Sequence, residues 1–144
     1  MSLVLDTSAT LAWIHADETT DAIRDVFDRV AESGAVVPAL WRLEVANSLT
    51  MAVRRGRINA AFRDAALADL DLVGIQTDDR TDAHAWGRTL ALADRFRLTV
   101  YDAAYLELAE RKVLPLATLD RALDAAARAL GVPVLGVDAP RSAG

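Results

Sequence analysis

Five short apolar runs, none of them alternating with polar residues, punctuate this chain at 3–5, 35–37, 73–76, 114–117 and 132–135. A strand that is apolar on both faces is covered on both faces. Between the runs lie longer segments whose apolar residues recur three and four apart, the helical period. Strands alternating with helices predict an α/β fold: a five-stranded parallel sheet in a three-layer α/β/α arrangement. Helices are expected over about 8–16, 20–32 with a stop at Gly34, 40–55, 59–70 with Asn59 as cap, 81–96 and 102–111, with an alanine-rich helix before the last strand. The expected organisation is one domain over 1–138, with 139–144 as a frayed tail.

The chain has 144 residues, of which 53 % are apolar and 26 % charged, enough apolar matter for a core. It contains no cysteine, and its only histidines are His15 and His84. Disulfides and thiolate metal sites are thereby excluded and zinc is disfavoured, so a bound metal takes oxygen ligands. The opening "MSLVLDTSA" is not a basic start followed by a long apolar stretch, and no apolar run reaches membrane-spanning length. The expectation is a soluble cytoplasmic protein. A net charge of −5 argues weakly against nucleic acid as partner. Yet the arginines are clustered, at Arg54, Arg55 and Arg57 and again at Arg95 and Arg97, which leaves the excess acid to concentrate elsewhere.

In open α/β sheets, ligands bind beyond the carboxyl ends of the strands. Asp6 follows the first run, and Asp120 follows the fourth with Thr118 between. Glu44 lies in "LWRLEVANSL" beyond the second run, and Asp102 opens "YDAAYLELA". Each has a structural alternative. Asp6 and Asp120 can cap helices, Asp102 stands three after Thr99 as in a capping box, and Glu44 can pair with Arg42. Glu44, Asn47 and Ser48 share one helical face, and Leu43, Ala46, Leu49 and Val53 are expected to face the core beside it. Four converging carboxylates would repel strongly unless some are protonated or a divalent cation neutralises them. Such a site is equipped for metal-assisted phosphodiester hydrolysis.

"VLDTSA", "PALWRLEVANSL", "YDAAYLELA" and "LATLDRAL", in this order and spacing, resemble the four acidic motifs of PIN-domain nucleases, and more narrowly those of VapC-type toxins of toxin–antitoxin systems. The resemblance runs from Leu3 to about Val137. It implies the five-stranded three-layer fold, an acidic site for Mg2+ or Mn2+, and endoribonuclease activity. Asp6, Glu44, Asp102 and Asp120 match the family's acidic positions; Thr7, Asn47 and Thr118 match polar positions near them. The resemblance makes Asp6 and Asp102 direct ligands. It has Asp120 act through water or a second metal, and Glu44 ligate metal or orient the attacking water. It also implies a homodimer, an RNA substrate (transfer or ribosomal RNA), and a cognate antitoxin that inserts an arginine into the site.

Arg54, Arg55 and Arg57 end the Glu44 helix, where they complement its dipole or grip an RNA backbone. Trp13, Trp41 and Trp86 are expected in the core or an interface, with Trp13 and Ile14 beside a groove for a partner helix. His15 and His84 are expected at the surface, and "DDRTD" at 78–82 as a helix start. Two other functions compete. One is a catalytically silent PIN-like binding module. The other, an Mg2+-dependent aspartyl phosphotransfer domain, is disfavoured because Ser8 stands where D-x-D needs its second acid. In addition, the only lysine, Lys112, precedes a strand rather than following one.

Overall fold

The computed structural model describes residues 2–137, and the tail expected at 139–144 lies outside them. The elements follow in the order β1 Val4–Leu5, α1 Thr7–Ile14, α2 Asp21–Ser33, β2 Ala35–Val37, α3 Trp41–Arg54, α4 Ala60–Leu72 and β3 Ile75–Thr77. Then come α5 Thr81–His84, α6 Arg88–Phe96, α7 Val100–Lys112, β4 Leu116–Ala117, α8 Arg121–Ala129 and β5 Val134–Leu135. The strands pair in the order β3-β2-β1-β4-β5, every pair parallel. This is the three-layer α/β/α sheet that the apolar runs predict.

Local chemistry sets the boundaries. Thr20 caps α2 by accepting the Ile23 N–H at 3.2 Å, and Asn59 caps α4 by accepting that of Phe62 at 2.8 Å. Gly34 ends α2 with φ 77° and ψ −178°, a conformation open essentially to glycine alone. A Cβ there would also lie 2.7 Å from the Gly74 carbonyl oxygen, so this turn requires a bare backbone twice over.

Three expectations are corrected. The helix expected over 81–96 is two, α5 and α6, separated at Ala85–Gly87, with Gly87 at φ −113° and ψ −107°. The helix expected from Asp102 begins at Val100, because Thr99 accepts the Asp102 N–H at 3.0 Å and caps it two residues earlier. Finally, α3 buries Trp41, Val45, Leu49 and Ala52, whereas Leu43 is 75 % exposed. Of the stripe expected through Leu43, Ala46, Leu49 and Val53, Leu49 is buried, Ala46 and Val53 are half-buried and Leu43 faces out, so the core face of α3 is rotated toward Trp41, Val45 and Ala52.

The core packs β1 and β4 between helical layers: Leu3, Val4, Leu5, Leu116 and Ala117 are wholly buried. Helix α7 is buried over the whole stretch 103–109, a helix enclosed on all sides rather than amphipathic. Burying each leucine there contributes roughly 2–3 kcal/mol. That packing fixes the N-terminal end of α7, where Asp102 sits, against the sheet.

Candidate active site

The chain runs outward from β1 through β2 to β3, then returns to the other side of β1 at β4. The reversal leaves a crevice between β1 and β4 at their carboxyl ends, the position where open α/β sheets bind ligands. The β1–β4 register pairs Leu5 with Ala117, so the residues just beyond, Asp6 and Thr118, come side by side.

Asp6 is 4 % exposed and caps α1, accepting the Ala9 N–H at 2.8 Å. Ser8 Oγ donates to both of its oxygens at 2.8 and 2.9 Å, and Thr118 Oγ1 donates to Oδ2 in a very short hydrogen bond. These groups use most of the carboxylate's acceptor capacity and fix its orientation. Thr118 Oγ1 also accepts the Asp120 N–H at 3.0 Å, while Ser8 Oγ accepts that of Leu119 at 2.9 Å. Asp6 is thus bolted to the β4–α8 turn from two sides. Asp120 caps α8 by accepting the Leu123 N–H at 2.9 Å.

On the other wall, Tyr105 donates its hydroxyl to Glu44 Oε1 at 2.6 Å, and Thr7 Oγ1 lies 3.1 Å from the same oxygen and 2.9 Å from the tyrosine oxygen. Three elements, α1, α3 and α7, meet in this triad. Asp102 stands one helical turn before Tyr105 on α7.

The electrostatics tie the acids together. Burial pushes the Asp6 carboxyl up to about 6 against its hydrogen bonds, and the charge of Asp102 adds to the rise. The Asp102 carboxyl is raised too, first by burial and then by the charges of Asp120 and Glu44. Burial and the Glu44 carboxylate hold the Tyr105 hydroxyl well above its ordinary range, so it remains a donor. Among the described residues none of the four acids forms an ion pair with Lys, Arg or His. Among the same residues no three His, Cys, Asp or Glu side chains are grouped closely enough to hold a metal ion. The acids sense one another's charge without forming a ready-made cage.

A family model described as PIN domain matches residues 3–129. The chain belongs to the PIN-domain family. Within it, the chain is similar to Ribonuclease VapC3 of Mycobacterium tuberculosis, 35 % identical over 123 residues that cover 84 % of each chain. It is also similar to Ribonuclease VapC3 of Pyrobaculum aerophilum, 32 % identical, covering 85 % of this chain and 92 % of that one. The crystal structure of PAE2754 from Pyrobaculum aerophilum superposes with a TM-score of 0.68 at 25 % identity, covering 93 % of this chain and 83 % of that one. These likenesses make it a PIN domain of the VapC type.

Of the polar residues expected near the acids of this PIN domain, Thr7 and Thr118 touch them directly, as above. Asn47 is exposed one turn along α3 from Glu44, where it lines a cavity with His15 and Ser48. Arg54 and Arg55 are exposed at the end of α3, while Arg57 is held by Asp17 and Glu18, each at 3.3 Å. His15 is buried, at 7 % exposure, contrary to its expected surface position. The tryptophans divide. Trp41 is buried and donates to Thr10 Oγ1 at 3.0 Å; Trp13 stacks on Phe27 at 4.6 Å; Trp86 is 94 % exposed and belongs to no core. Two residues of the site, Ser8 and Tyr105, were not anticipated there. Ser8 is legible as the residue two after Asp6, and Tyr105 as the residue one turn beyond Asp102.

Proposed function

We propose that this PIN domain is a metal-dependent endoribonuclease of the VapC toxin type, cutting RNA with Asp6, Glu44, Asp102 and Asp120. The observation that supports it most is Asp6: a buried carboxyl raised to about 6, at the switch point of the sheet, sensing Asp102 with no cationic partner among the described residues. Such a group wants a positive charge, and the donor set is wholly oxygen, which suits a hard cation such as Mg2+ or Mn2+. Asp6 and Asp102 would hold it, with Glu44 and Asp120 beside them. When bound, the cation supplies Lewis acidity toward a phosphodiester and an acidified water. The protein's own contribution is positioning: Ser8 and Thr118 fix the Asp6 carboxylate, and Tyr105 with Thr7 fixes Glu44 where it can orient the attacking water.

The reading carries a cognate antitoxin, an RNA substrate and a homodimer with it. An apolar groove of about 450 Å3 between α1 and α4, lined by Trp13, Ile14, Phe62, Ala66 and Leu70, suits a partner helix of an antitoxin. The acidic crevice complements an inserted arginine.

Purified protein freed of any partner should cut RNA with manganese and stop with chelator. Asp6→Asn should abolish cutting while its circular dichroism spectrum stays that of the parent. Undiminished cutting by this variant would remove the assignment. A second reading, a silent binding module, draws on the absence of a preformed cage among the described residues. Calorimetric titration with manganese separates the two, since a module takes up none and a nuclease binds it in an Asp6-dependent way.

A further inference from the structure

We propose that the cavity between the C-terminal halves of α1 and α3 is a nucleobase subsite, holding a base of the RNA strand one or two nucleotides from the cut. The inference rests on the ribonuclease reading for the identity of the strand.

Helices α1 and α3 lie side by side, joined at their first turns by the hydrogen bond from Thr7 to Glu44. From there each helix carries one stripe of side chains in the same direction. On α1 the stripe is Thr7, Leu11 and then His15, just past the helix end; on α3 it is Glu44, Ser48, Met51 and Arg55. The far parts of both stripes, with Glu18, Asn47, Ala52 and Arg57, enclose a cavity of about 280 Å3. At a rise of 1.5 Å per residue, its near edge at Asn47 and Ser48 is about 6 Å along α3 from Glu44, and Met51 about 10 Å. A strand bound across the acids and following the helices therefore delivers its next nucleotides here.

The lining suits a base better than a phosphate. Leu11, Met51 and Ala52 give an apolar floor for a ring face. The rim offers donors at Arg55 and Arg57, an acceptor at Glu18, and both at Asn47 and Ser48. A phosphate would meet the Glu18 carboxylate, whereas base edges present donors and acceptors together. Arg57 holds Glu18 at 3.3 Å and so keeps that acceptor in place before any ligand arrives. The volume lies just below the usual range of ligand pockets, about 300–1,000 Å3, and suits a single ring system. His15, a polar residue buried at the end of α1, acquires a purpose as one wall of the cavity.

The test is binding of RNA hexamers of each single base, against an abasic hexamer of the same backbone, to full-length protein in chelator, read by fluorescence anisotropy. At least one intact hexamer should bind about tenfold more tightly than the abasic one, the worth of one or two hydrogen bonds. Ser48→Phe fills the cavity and should bring intact RNA down to the abasic affinity while leaving abasic affinity unchanged. Asn47→Ala, at an exposed position, should flatten the preference among bases if the larger substitution disturbs folding. An intact-to-abasic ratio that survives both substitutions overturns the subsite, as does failure of any hexamer to bind. Base-dependent binding by a protein that never cuts RNA with manganese would instead overturn the ribonuclease reading and leave the subsite standing.

Discussion

The Tyr105 hydroxyl donates to Glu44 Oε1 over 2.6 Å, joining two helices through residues 61 positions apart in sequence. The contact does two jobs. It satisfies a half-buried carboxylate with a donor that cannot ionise near neutral pH, because burial and the Glu44 charge hold the phenol proton in place. It also links the orientation of Glu44 to α7, the helix that carries Asp102.

Tyr105→Phe keeps the ring in the core and removes only the hydroxyl. One hydrogen bond to a charged group is lost, so stability should fall by about 1.5–3 kcal/mol. Cleavage at saturating manganese should fall about tenfold with little change in KM, because Glu44 is present but held by Thr7 alone. Urea unfolding and steady-state kinetics on a short RNA check both. A variant that cuts at the parental rate would reduce the contact to a purely structural one.

Asp6 makes stability depend on pH in a direction opposite to that of most acids. Its carboxyl is raised from 3.8 to about 6 by burial, so the native state holds this proton more tightly than the unfolded chain does. Below the unfolded value near 4 the contribution to stability is fully present. As pH rises through 6 it is lost, by on the order of 3 kcal/mol. In chelator, unfolding free energies of the parent and Asp6→Asn measured from pH 4 to 7.5 should therefore diverge, with the variant gaining relative to the parent as pH rises. Parallel curves would show that burial does not strain this carboxylate.

The sheet was legible because strands covered on both faces leave uninterrupted apolar runs, and Asp6 and Asp120 because they stand just past two of them; Glu44 and Asp102 lie on helices α3 and α7 and were legible only by their apolar company. The break between α5 and α6 was not. A glycine such as Gly87 costs a helix only about 1 kcal/mol, and periodicity continues across it. The misplaced stripe of α3 has a similar origin. Leu43 and Trp41 are both large and apolar, and only the packing of α3 against α1, through the Trp41–Thr10 hydrogen bond, decides which faces inward. His15 lines the same cavity as Asn47, Ser48 and Met51 of α3, neighbours distant in sequence that its own surroundings in the chain do not reveal. The support of Asp6 by Ser8 and Thr118 is equally non-local for Thr118, which reaches Asp6 only through the pairing of β1 with β4.

Residues 78–82, expected as a helix start, contain more than that. Asp78 is buried after β3 and receives both terminal nitrogens of Arg111, at 3.1 and 2.7 Å. The same guanidinium donates from Nε to the buried Glu107 at 2.7 Å. One arginine thus neutralises two acids enclosed between β3, α5 and α7, and it holds the Asp78 carboxyl below the ordinary range. Arg111→Met preserves most of the apolar stem and leaves Asp78 without its cation and Glu107 with only His84, 3.6 Å away, which should cost about 3–5 kcal/mol at pH 7. The stabilisation through Asp78 is present above its unfolded value near 4 and is lost as pH falls toward its lower native one. The gap between parent and variant should therefore narrow as the solution is acidified below pH 4, where protonation relieves the stranded acids. Urea unfolding across pH 3 to 7 measures this directly, and a gap independent of pH would mean that the arginine acts through packing of its stem rather than through its charge.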